Sequence, residues 1–123
     1  MTYESTITVK AKSAPGVTLL VNRMSFARRL ELMRRIRRLA HEAQLPETAD
    51  EAEEKMDAAL LAFELDRIYV TWGVREVRGL EIDGAPATPQ TLADAGPEAL
   101  FREALATVKA SGGLGGARGG QHG

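Results

Sequence analysis

A chain of 123 residues, 44% hydrophobic and 27% charged, has the length and composition for one hydrophobic core. Its formal net charge of -1 gives no overall pull toward nucleic acid or an anionic membrane, and the lack of cysteine rules out disulfides, thiolate metal sites and cysteine nucleophiles. No run reaches membrane-spanning length and Met1 to Glu4 lack the basic and apolar parts of a signal segment, so a cytoplasmic chain is expected.

Thr6 to Lys12 alternates β-branched and polar residues, the pattern of a half-buried strand. Ser13, Ala14, Pro15 and Gly16 form a turn, and Val17 to Val21 is a second apolar run, so the chain begins with a β-hairpin. Ser25 then caps a helix running to about Gln44, ahead of Pro46. Phe26, Leu30, Met33, Ile36, Leu39, Ala40 and Ala43 make its apolar arc, and arginines hold most of the rest. Leu45, Pro46 and Glu47 join it to a second helix, and so short a link predicts an antiparallel pair.

That second helix, from Thr48 to about Val74, is the centre of the chain. Thr48 with Glu51 reads as a capping box, followed by an acidic first turn that suits the helix dipole. At 100° per residue, Met56, Leu60, Phe63, Val70 and Val74 fall on one side, and Leu61, Leu65, Ile68 and Trp72 on nearly the opposite one. One neighbour cannot cover both. Residues 68–72 are also rich in β-formers, which leaves helix and strand both open there. The charges of the pair are segregated. Seven arginines lie between Arg23 and Arg38 against Glu31 alone, while six acids between Glu47 and Asp57 face only Lys55. In an antiparallel pair Arg34, Arg35, Arg37 and Arg38 are expected to meet those acids.

Val77 to Ile82 reads as a short strand, Asp83 and Gly84 as a tight turn, and Thr88 with Pro89 as the start of a brief helix closing at Gly96. Pro97 opens the last helix, with Leu100, Phe101, Leu105 and Val108 facing inward. After residue 110 the chain is dominated by glycine and is expected to be disordered. The expected architecture is a single α+β domain over residues 1–110 with a loose tail at 111–123: a β-hairpin, an antiparallel helical hairpin, a short turn region and C-terminal helices.

No nucleotide-binding, hydrolase or metalloprotease motif is present. His41 and His122 are too far apart to support a metal site, and carboxylates such as Asp50 and Glu54 lie amid other acids on a helix surface. The chain thus reads as a binding module without catalysis, cofactor or metal. Leu61, Leu65, Ile68 and Trp72 are the expected contact stripe for a partner helix or a second copy, with Arg34, Arg35 and Arg38 at its rim. Binding of nucleic acid by the arginine-rich helix is the weaker reading, because acids lie close by and no aromatics are interleaved for stacking.

From Trp72 onward a resemblance appears. Trp72-Gly73-Val74, the run Gly79 to Gly84, Pro86 to Thr88, and Gly96 to Leu100 with Glu103 resemble the small tail-assembly chaperones of tailed phages and prophages. The segment Phe26 to Leu32 is similar to the start of their first helix, whereas the glycine tail departs from their pattern. The resemblance implies a non-catalytic protein that coats the long helical tape-measure protein, helps recruit tail-tube subunits in the host cytoplasm, and leaves before the particle is finished. A structural virion component is the alternative within the same setting.

Overall fold

The computed structural model describes residues 1–43 and 50–113. In chain order it contains β1 (Thr6–Lys10), β2 (Thr18–Asn22), α1 (Phe26–Glu42), α2 (Glu51–Gly73), β3 (Val74–Arg78), β4 (Glu81–Ile82), β5 (Ala85–Pro86), α3 (Pro89–Ala95) and α4 (Glu98–Ser111). The class is α+β, as expected. The chain gathers into two compact units, one formed by residues 1–24 with the segment from Tyr69 onward, the other by Ser25–Ile68.

In the first unit β1, β2 and β3 form an antiparallel sheet in that order. The hairpin register pairs Ile7 with Val21 and Val9 with Leu19, so alternation puts these side chains on one face. The third strand reaches the same face differently. Val74 and Val77 are three residues apart, and both stay inward because the register shifts by one between Leu20 and Val21. Onto Leu19, Val21, Val74 and Val77 pack α4, through Leu100, Ala104, Leu105 and Val108, and α3, through Leu92; all are buried. Each large aliphatic side chain so buried contributes about 1.5–3 kcal/mol.

Helix α2 passes into β3 without a loop. Residues 68–72 are therefore helical, and the strand that sequence reasoning begins at Val77 begins at Val74. Gly73 allows the junction to sit close to α4: a Cβ there would stand 2.5 Å from Val108 Cγ1. Asp83 and Gly84 both have positive φ, as the two-residue turn between β4 and β5 requires. The start of α3 is a capping box in which Thr91 N–H donates to Thr88 Oγ1 and Thr88 N–H donates to Thr91 Oγ1.

In the second unit Ser25 caps α1 as expected, its hydroxyl accepting from the Arg28 amide at 3.2 Å. The capping box of α2 is built by Asp50 and Glu53. Glu53 N–H donates to Asp50 Oδ1 at 2.8 Å, and Asp50 N–H donates to Glu53 Oε1 at 3.1 Å. The box placed at Thr48, the Leu45–Glu47 link, and the tail from residue 114 lie outside the described residues. The ends of the helices show their direction: Leu39 and Ala43 line a groove with Asp57, Leu60 and Leu61, while Arg35 and Arg38 line one with Glu64 and Ile68. Later positions on α2 meet earlier ones on α1, so the pair is antiparallel.

Candidate functional site

The second unit presents its larger side chains to solvent. Of its described apolar residues only Leu32 is buried, while Ile36, Leu39, Leu65 and Ile68 are half-buried. The apolar arc of α1 is therefore split. Ile36 and Leu39, joined by Leu32 from outside that arc, form a covered side, and Phe26, Leu30 and Met33 are exposed, Phe26 at 84% and Met33 at 60%. On α2 the matching exposed set is Met56 at 62%, Leu60 at 53% and Phe63 at 57%. Helices of an ordinary soluble domain turn such residues toward a core.

The stripe chosen from sequence fares differently. Leu65 and Ile68 are half-covered, Ile68 with Arg35, Arg38 and Leu39 beside it, and Leu61 lines the groove with Leu39 and Ala43 while remaining 36% exposed. Trp72 is 4% exposed and belongs to the core of the first unit. It is withdrawn as a surface anchor. The physical reason is that α2 serves two ends: its last turn joins the sheet core through Val70, Trp72 and Gly73, so a stripe continuous on the wheel is not continuous at the surface. The helical projection contained Met56, Leu60 and Phe63 as the other face. What it lacked was which face α1 covers.

The arginines also differ from expectation. Arg35 is paired with Glu31 of its own helix at 2.8 Å rather than with the acids of α2. Arg34, Arg37 and Arg38 have no carboxylate within ion-pair distance among the described residues. With His41 and Glu42 they line an open basic surface on α1. The acidic start of α2 is used locally: Glu51 lies 3.9 Å from Lys55, and Glu53 closes the cap.

The first unit holds a groove of about 570 Å³ between β1 and α4, lined by Ile7, Val9, Ala106, Thr107 and Ala110 with Lys10 at its edge. Above it Glu103 is a latch rather than a reactive group. Its carboxylate accepts from Lys12 N–H at 2.7 Å, Ser13 N–H at 2.9 Å and Ser13 Oγ at 2.7 Å. These donors, Lys12 N–H foremost, hold its pKa below the ordinary carboxylate value. Among the described residues no group of three or more metal-ligating side chains converges, and no helix is long and apolar enough to cross a membrane. Comparison with known protein families, with curated proteins and with solved structures finds no match for this chain.

Proposed function

We propose that the chain is a non-catalytic assembly chaperone whose helical unit holds an amphipathic helix of a client protein. The observation that carries this is the exposure of Met56, Leu60 and Phe63 along one side of α2, at the i, i+4, i+7 spacing by which one helix grips another. The resemblance of the segment from Trp72 to the tail-assembly chaperones supplies the client: the tape-measure protein, a long helical chain that needs cover until tail-tube subunits enclose it. Leu61 and Ile68 border the contact from the groove side, where Arg38 of α1 also lines the groove; Arg34 lies on the α1 surface with Arg37 and His41. Many weak copies along one client would act by avidity.

The test is co-expression with a tape-measure protein, sought among the genes neighbouring that of this chain. The expected result is a soluble complex that Met56→Asp weakens at least about tenfold, as loss of a central apolar contact does. Capture unchanged by Met56→Asp would move the site, and recovery of the chain in finished particles would make it a virion component. The basic surface of Arg34, Arg37, Arg38 and His41 favours nucleic acid as the second reading. Retardation of DNA with a steep salt slope, and no capture of the tape-measure protein, would establish that one instead.

A further inference from the structure

The helical unit carries two exposed apolar trios, and their surroundings have opposite charge. On a helix the neighbours of a residue are those three and four positions away. For Phe26, Leu30 and Met33 on α1 the charged neighbours are Arg29, Arg34 and Arg37, with no acid among them. For Met56, Leu60 and Phe63 on α2 they are Glu53, Asp57, Glu64 and Asp66, against Arg67 alone. The first trio is thus set in a basic frame and the second in an acidic one.

The trios also lie on different sides of the helix pair. Leu60 lines the groove between the helices, so the α2 trio borders that side of the pair. Arg35, Arg38, Leu39 and Glu42 line the groove from α1. Counted at 100° per residue, Phe26, Leu30 and Met33 lie about 180° around α1 from them. Within one copy the two trios cannot cover each other.

We infer that the occupant of each trio in the client-free protein is the opposite trio of a second copy, so that copies stack head to tail. Charge decides between this and a two-fold dimer. A symmetric contact through α1 would bring Arg29, Arg34 and Arg37 against themselves, and one through α2 would set acids against acids. The α1-to-α2 contact matches apolar to apolar and basic to acidic. It leaves an unused α1 face at one end and an unused α2 face at the other, so growth does not stop at two. The inference uses the surface assigned above to the client but not the client's identity, and the two occupants compete for it.

Sedimentation of the full chain tests it. The average mass should rise past that of a dimer as concentration increases and fall as salt is added. Met33→Asp blocks the α1 face and Met56→Asp the α2 face. Each variant alone should be monomeric with unchanged circular dichroism, since both side chains are exposed. Mixed, each supplies the face the other lacks, and the mixture should form a one-to-one pair and stop there. Arg34→Glu with Arg37→Glu should weaken stacking at least about tenfold. A wild-type chain that stays monomeric, a dimer that does not grow, or folded single variants that fail to pair on mixing would each overturn the proposal. Loss of stacking with client capture intact would remove only this inference. Stacking without client capture would remove only the chaperone reading.

Discussion

Glu103 shows how one carboxylate can hold a turn. It sits on α4 and accepts from both backbone amides at the end of the β1 extension, Lys12 and Ser13, and from the Ser13 hydroxyl. Those donors favour its ionised form, so its pKa in the folded chain is below the unfolded value near 4.5. The folded state therefore binds this proton less readily than the unfolded state. The latch contributes fully above pH 4.5 and is lost as pH falls through the lowered folded value. Glu103→Gln keeps the shape and removes the charge. At pH 7 it should cost about 1 kcal/mol, below the usual range for charge-assisted bonds because solvent screens the site. The gap between variant and wild type in denaturant unfolding should close as pH drops below 4.5. A gap that stays constant with pH would mean that the Glu103 charge does not hold the turn.

At the scale of elements, what was legible was what local chemistry decides. The strand read over Thr6 to Lys12 forms as far as Lys10, and the Ser25 cap, the Thr88–Pro89 start and the Gly96 stop appear where the residues place them. The structure shows a capping box of α2 at Asp50 and Glu53, an acid serving the role that the sequence reading gave to Thr48, which lies outside the described residues. The start of β3 was hidden by its bulge: Val74 and Val77 break the two-residue period that marks a strand. For the candidate site, the wheel set Met56, Leu60 and Phe63 apart from Leu61, Leu65 and Ile68 but carried no information on which set α1 covers, and it joined to the first set Val70 and Val74, which belong to the sheet core. Trp72 was misplaced for the related reason that a wheel treats a helix as one body, whereas α2 enters the sheet core at its end. That end can be tested at Gly73. Gly73→Ala would set a methyl 2.5 Å from Val108 Cγ1, and overpacking of this kind costs about 1–3 kcal/mol. The expected outcome is a lower unfolding midpoint that Val108→Ala, introduced in the same chain, partly restores. A Gly73→Ala variant as stable as wild type would show that the junction has room to spare.

For the molecule as a whole, burial and exposure are divided between the two units. Val17, Leu19, Val21, Val70, Trp72, Val74, Val77 and the inward residues of α3 and α4 make a core in the first unit, while among the described residues of the second only Leu32 is buried. The first unit thus has the apolar burial of a small domain, and the second has helices whose larger side chains lack a core of their own. This division predicts that the first unit folds without the second. Its two chain segments end close together: Asn22 Nδ2 donates to the Gly73 carbonyl at 3.4 Å, and Val21 pairs with Val74 across the β2–β3 ladder. A few glycines in place of Ser25–Ile68 can therefore join Met24 to Tyr69. The shortened chain should unfold in a single cooperative step with a midpoint close to that of the full chain. An isolated peptide of residues 25–68 should show weak helicity that rises when an amphipathic helix is added. If the shortened chain failed to fold while the isolated helical peptide was stable alone, the helical unit would be the scaffold. Its exposed apolar faces would then need an explanation other than contact with a partner.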